Sequence, residues 1–331
     1  MTLSRRHFLA STSTSALSAA VGSGLGGGLA LSASKAWAEG QASEVRIGFQ
    51  KGAPILLLAR KQQVIENRLK PLGVTVKWVE FQFGPPMLEA IGAGAVDVGA
   101  VGDVPPIFAQ SAGANLVYVA GAPSVPHAVL VPKNSPIKTV ADLKGKRIAV
   151  AKGSSAQNVA IKALAHAGLS ITKDVTPIYL GPADATSAFI GGNVDAWIVW
   201  DPYYAIAEDR YNARSIADTS DSHLSSSGYY LANKDFANQQ SKLLVSTLEE
   251  LSKLTTWAGS HRGVLADLAA EATGIDAKIW KTSFDRQAFG FGPITPFQIH
   301  QQQELADAFL ALNLIPKKIN VSDSVWTWPT K

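Results

Sequence analysis

The chain has 331 residues, with 30 Lys and Arg against 26 Asp and Glu, and no cysteine. The missing thiols exclude disulfides, cysteine-ligated metal and a cysteine nucleophile together. Three basic residues (Arg5, Arg6 and Lys35) fall in the first 38 positions, which leaves 27 basic against 26 acidic residues and no Lys/Arg-rich run, so a nucleic-acid surface is not expected.

Ser4-Arg5-Arg6-His7-Phe8-Leu9, a weakly apolar stretch over 9–31 and Ala36-Trp37-Ala38 have the layout of a twin-arginine export signal cleaved near Ala38. An ordinary export signal with two arginines is the simpler alternative, and Ala10 departs from the pattern, which often has Lys there. On either reading residues 1–38 are an address rather than a fold, and the expected destination is the periplasm. Their Gly and Ser content makes them a poor membrane span, and no stable membrane insertion is expected. A disulfide-free chain in an oxidising compartment must rely on its core. Roughly 290 residues suffice for one large or two mid-sized domains.

From residue 44 short β-rich runs alternate with helical ones. Residues 44–50 alternate Val45, Ile47 and Phe49 as a strand, and 54–69 have helical periodicity with Pro54 suited to a first turn. A strand at 74–81, a short helix at 86–93, a strand at 96–101, a helix at 105–112 and strands at 116–120 and 128–131 follow. A second cycle starts near Thr139, with strands predicted at 147–151, 176–180 and 195–200 and helices at 155–167, 183–190 and 202–209. Residues 229–232 predict a strand returning to the first lobe. Beyond it come helices at 235–260, 263–273, 276–282 and 296–312, with no sheet of their own. The order predicts an α/β fold of mainly parallel sheets flanked by helices, the last helices packing on the first lobe.

The two cycles repeat one another. RIGFQKG at 46–52 returns as RIAVAKG at 147–153, and IGAGAVD at 91–97 returns as IGGNVD at 190–195. A second Asp follows six residues later in each copy (Asp103, Asp201), with proline close behind. Two similar lobes facing each other form a cleft. Crossovers near 122–127 and 222–228 would make a two-stranded hinge, dividing the chain into 39–124 (lobe one), 125–224 (lobe two) and 225–331 (lobe one again).

Ligands of open α/β sheets bind beyond the carboxyl ends of strands. That places Gln50 and Lys51, Gly102 and Asp103, Gly153, Ser154 and Ser155, and Trp200, Asp201 and Tyr203 at the cleft. A serine pair at a helix N-terminus favours an anion through hydroxyls, free amides and the helix dipole, although either serine could simply be an N-cap. Asp103 and Asp201 read as helix caps rather than a catalytic carboxylate pair. Trp200 and Tyr203 could wall an apolar tail pocket, with Phe49, Phe81 and Phe83 as weaker candidates. Lys51 and Lys152 could reach an anion or be solvated strand-end charges. No histidine pair has metal-ligand spacing, and no nucleotide-binding or hydrolase motif occurs. No cofactor or metal is expected.

These motifs, GPPMLEAIG (84–92), GDVPPIFAQSAGA (102–114), NSPIKTVADLKG (134–145), KGSS (152–155), NVDAWIVWDPYY (193–204) and LIPKKI (314–319) resemble the aliphatic sulfonate-binding proteins of bacterial ABC importers. The resemblance runs from about residue 44 to 326. It implies a type II two-lobe periplasmic binding protein that captures a small organic sulfonate anion and delivers it to a membrane permease. Carried over by motif, Gln50, the Gly102-Asp103 loop and Ser154-Ser155 would meet the sulfonate, Trp200 and Asp201 would close the opposite wall, and Arg286 would be either a direct anion ligand or a salt-bridge partner. A monomer is expected. Ser124-Val125-Pro126-His127 and Phe289-Gly290-Phe291-Gly292-Pro293 depart from the family pattern and are placed on the cleft rim, leaving the tail preference open between alkyl and aryl sulfonates. Receptors for taurine, nitrate or a thiamine-precursor pyrimidine are the alternatives. A C–S lyase on the same fold would want the cysteine nucleophile this chain lacks.

Overall fold

A computed structural model of the protein describes residues 43–329, so the export signal expected in residues 1–38 lies outside the described residues. In chain order the first part holds β1 (Glu44–Phe49), α1 (Pro54–Gln62), α2 (Val64–Leu69), β2 (Thr75–Glu80), α3 (Gly84–Gly92), β3 (Val98–Gly102), α4 (Val104–Ser111) and β4 (Leu116–Pro123). The middle holds β5 (His127–Val131), β6 (Arg147–Val150), α5 (Ser155–His166), β7 (Thr176–Tyr179), α6 (Pro182–Ile190), β8 (Ala196–Trp200), α7 (Tyr203–Tyr211) and β9 (Arg214–Asp218). The chain closes with β10 (Ser227–Asn233), α8 (Lys234–Gln239), α9 (Ser241–Ser260), α10 (Arg262–Thr273), α11 (Ala277–Arg286) and α12 (Pro296–Ala311).

Two five-stranded sheets result, ordered β2-β1-β3-β10-β4 and β7-β6-β8-β5-β9. Each is built alike: three parallel strands, then one antiparallel strand, then an outer strand antiparallel to that one. The reversed strand is in each case the one that follows a crossover, β10 in the first sheet and β5 in the second. The chain leaves the first sheet through residues 124–126 and comes back through 219–226.

The repeated Arg and Asp explain why the halves match. Arg46 gives its backbone N–H and Nε–H to Asp97 Oδ2 (2.7 and 3.0 Å), Nη2 to Oδ1 (2.6 Å) and Nη1 to the Gly94 carbonyl (2.6 Å). Arg147 repeats the pattern on Asp195 at 2.8, 3.2 and 3.0 Å, with Nη2 on the Gly192 carbonyl at 3.1 Å. Each Asp returns its own N–H to its arginine's carbonyl at 2.8 Å. A planar fork meeting a carboxylate in this way fixes orientation as well as distance. It locks the first strand of each lobe beside the third. Gly94 and Gly192 sit at φ 71° and 68°, left-handed conformations just past the preceding helix, and present their own carbonyls to the arginine.

Three packed cores follow. One side of the first sheet buries Ile47, Leu56, Leu244, Leu251, Trp280 and Phe284, so α9 to α11 cover it together with α1. The other side buries Met87, Ile91, Ile107, Tyr118 and Phe309 under α3, α4 and α12. The second sheet carries a core around Val129, Ile148, Val159, Phe189 and Trp197.

Two long predicted helices are broken. The run 54–69 divides at Gln63, whose φ of 52° closes α1 and redirects α2 so that Ile65 and Leu69 turn inward. The run 235–260 divides at Gln240, after Asn233 Oδ1 has capped α8 through the Asp235 and Phe236 amides. Strand β9 was not predicted: Arg-Ser-Ile-Ala-Asp is half-buried at every position and has no clear alternation to read.

The two clamps differ in burial, the Asp97 side chain being 4% exposed and that of Asp195 32%. Asp97→Ala should cost about 2–3 kcal/mol, because buried charge-assisted donors lose their acceptor. Asp195→Ala should cost under about 1 kcal/mol. Urea denaturation of the two variants measures the difference, and equal costs would contradict it.

Candidate ligand-binding cleft

The carboxyl ends of β1 and β3 in one lobe face those of β6 and β8 in the other. Helices α1, α4 and α5 start there, and no side chain caps any of the three. Between the lobes lies a cavity of about 120 Å³. The lobes already touch across it. A Cβ on Gly102 would fall 1.8 Å from Ser155 Oγ, and one on Gly52 would fall 2.9 Å from the Asp201 carbonyl oxygen. Only glycine allows these approaches.

Of the residues proposed from sequence, Gln50, Gly102, Ser154, Ser155 and Trp200 line the cavity. Ser154 is the N-cap of α5 by position, but its hydroxyl donates backwards to the Ala151 carbonyl at 2.6 Å. The first amides of α5 are therefore left open toward the cleft, where the helix dipole favours negative charge. Ser155 follows as the first helical residue, buried at the lobe contact. Gln50 spends one amide hydrogen on the Ala100 carbonyl at 2.9 Å. Among the described residues no Lys, Arg, Asp or Glu lines the cavity.

Lys51, Asp103, Gly153, Asp201, Tyr203 and Arg286 lie beside or behind the wall rather than in it. Lys51 is exposed. Gly153 donates its N–H to Gln157 Oε1 at 2.7 Å. Tyr203 packs edge-on against Trp200, ring centroids 6.3 Å apart. Among the aromatic candidates Phe49 is in the core against Trp78, and Phe83 packs on the second lobe's core.

Asp103 holds the N-cap position of α4 without capping it. Its carboxylate instead accepts from Asn158 Nδ2 of the other lobe at 2.7 Å, and its carbonyl accepts from Gln302 Nε2 at 2.6 Å. Burial pushes the carboxyl up from its ordinary range, while the Ser226 and Ser155 hydroxyls, Lys162 and Asn158 pull it down. The cap expected of Asp103 gives way to this link because the partner lobe brings a better-placed donor. Asp201 does act as expected, its Oδ1 accepting from the Ala205 N–H at 3.0 Å.

Arg286 reaches across from α11 to lobe two. Its Nε lies 3.1 Å from Asp201 Oδ2, its Nη2 donates to Glu208 Oε2 at 2.7 Å, and its guanidinium stacks 3.7 Å from the Tyr204 ring centre. Burial pushes the Asp201 carboxyl up to about 6, and the Arg286 guanidinium holds it from rising further. Of the two roles considered for Arg286, this structure gives the salt-bridge partner, and the bridge joins the lobes instead of meeting the cavity.

Sequence reasoning missed Thr255, Gln287, Tyr229 and Tyr230 and placed His127 only on the rim, and all five line the cavity. Two signals pointed near them. Ser124, Val125 and His127 belong to the first departure from the family pattern and Phe289 and Gly290 to the second, and all five are in the wall. His127 is 2% exposed, with Nδ1 2.7 Å from the Val125 carbonyl and its ring tilted against Trp200 at 6.1 Å. Burial lowers its pKa to about 4, so it is neutral near pH 7.

Comparison with known proteins agrees with this geometry. Residues 71–261 match the NMT1/THI5 like family. The chain is 41% identical over 305 residues to an aliphatic sulfonates-binding protein of Escherichia coli K12, covering 91% of this chain and 94% of that one. It is 36% identical to the Bacillus subtilis 168 protein of the same description, with 86% of each chain covered. Among solved structures, the alkanesulfonate-binding protein SsuA from Xanthomonas axonopodis pv. citri bound to MOPS superposes with a TM-score of 0.82 at 37% identity, covering 86% of this chain and 99% of that one. The shared lobes, cleft and sequence place this chain in the NMT1/THI5-like family, and within it among the aliphatic sulfonate-binding proteins.

Proposed function

We infer that the protein is the substrate-binding receptor of an ABC importer and takes an organic sulfonate into the cavity between its lobes. The observation that carries this reading is the uncapped start of α5, which faces Gln50 and Gly102 across a wall without a fixed charge of either sign. A sulfonate stays ionised at any physiological pH and accepts hydrogen bonds on three oxygens. Open helix amides supply donors without a side-chain cation. The dipole at the helix end then carries the electrostatic share that Arg286, spent on Asp201 and Glu208, does not supply. Apolar wall groups from Ile55, Val101, Trp200 and Phe289 would hold the tail.

The protein acts as a receptor and not as an enzyme on this reading. A hydrolytic or lyase site needs a base bonded to a nucleophile. His127 is the cavity's histidine, and it is bonded through Nδ1 to a backbone carbonyl rather than to a serine or threonine. Delivery would follow by docking of the closed monomer on the permease, after export to the periplasm under a twin-arginine signal in residues 1–38. No helix of the described residues is long and apolar enough to cross a membrane.

A thermal-shift panel tests the ligand class, because a ligand bound only by the folded protein raises its melting temperature. Alkyl or aryl sulfonates should raise it. A shift with nitrate or a pyrimidine vitamin precursor alone would overturn the reading, as would steady sulfite release from a sulfonate. The donors do not titrate, His127 is neutral above about pH 5, and Asp201 is ionised above about 6. Sulfonate affinity should therefore be flat from pH 7 to 9.

A further inference from the structure

Four side chains of the cavity wall have their protons committed to the backbone: Ser154 and Tyr229, and also His127 and Thr255, which matter here. His127 Nδ1 is 2.7 Å from the Val125 carbonyl oxygen. That oxygen can only accept, so Nδ1 carries the ring's proton and Nε2 presents a bare lone pair. Nε2 has no partner among the described residues, although the ring lines the cavity. The residue is held firmly as well: its N–H donates to Thr219 Oγ1 at 2.9 Å, and its carbonyl accepts from the Thr219 N–H at 3.0 Å. Thr255, also in the wall, gives its hydroxyl hydrogen to the Leu251 carbonyl at 2.8 Å and faces the cavity with lone pairs alone. The donors are at the start of α5. These two groups are acceptors only.

We propose that His127 makes the receptor selective, among sulfonates, for those whose tail carries an O–H or N–H donor, such as hydroxyalkane- or aminoalkanesulfonates. The proposal rests on the sulfonate reading of the cleft and adds the polarity of the other end. A methyl group pressed against Nε2 strands a buried acceptor, which is unfavourable, whereas a hydroxyl or ammonium in the same place satisfies it. Trp200, whose ring is 6.1 Å from the His127 ring, adds an aromatic face that also tolerates a cationic tail. Sequence had already marked this stretch as a departure from the family pattern, so the preference would distinguish this chain from relatives with another residue there.

Calorimetry with a matched pair decides it: 2-hydroxyethanesulfonate and propanesulfonate, which differ by a hydroxyl in place of a methyl. The native protein should bind the hydroxyl compound about tenfold more tightly. His127→Leu should bring that ratio to about one. His127→Phe, which retains the ring's bulk, serves if the leucine variant does not fold. Equal affinities in the native protein, or a ratio that survives the substitution, overturn the role of His127 and leave the sulfonate reading standing. No binding of either compound to the native protein overturns the sulfonate reading itself.

Discussion

An arginine fork on an aspartate holds the first and third strands of each lobe in one register, and the cleft depends on that register. Arg46 with Asp97, and Arg147 with Asp195, bond side chain to side chain and backbone to side chain at the same time. With those strands fixed, their carboxyl ends stop at the same level. The loops that follow then open α1, α4 and α5 toward a common space. Two copies of one device, 101 residues apart at the arginine, give two faces of matching height that can meet over a small anion.

The cleft separates electrostatic tasks that would conflict if they shared the same atoms. Fixed charges sit behind the wall, where Arg286 joins Asp201 and Glu208 and where Asn158 meets Asp103. The wall itself is built from amides, hydroxyls, one neutral imidazole and apolar surface. Burying a full cation in the wall would require desolvating it in the empty protein. Helix amides carry their partial charge at no such cost, since they are already desolvated and oriented by the backbone.

Much of the architecture was legible because it is local. Alternation marked β1 and β2, proline marked the starts of α3 and α12, and the repeat announced two lobes. The helix breaks at Gln63 and Gln240 were not legible, because neither is a glycine or proline and the packing of Ile65 and Leu69 sets the first of them. The site divided in the same way. Gln50, Gly102, Ser154, Ser155 and Trp200 follow strand ends directly and could be read off the pattern. His127, Thr255 and Gln287 come from a crossover, a long helix and a loop, and only the fold brings them together. The cap role of Asp103 misled, and the role of Arg286 stayed open, for a related reason: each makes contacts with the opposite lobe, which no local spacing encodes.

The links between lobes have a consequence for how such a receptor can be tuned. The Arg286 bridge and the Asn158–Asp103 bond hold the halves together without lining the cavity. Apparent affinity is the intrinsic affinity scaled by the share of molecules already shut. A substitution at Glu208 or Asn158 can therefore move the working concentration range by orders of magnitude while the chemistry of recognition stays as it was. Lineages facing scarce or abundant sulfur could adjust their scavenging threshold in this way, and an engineer could calibrate a sensor by the same route.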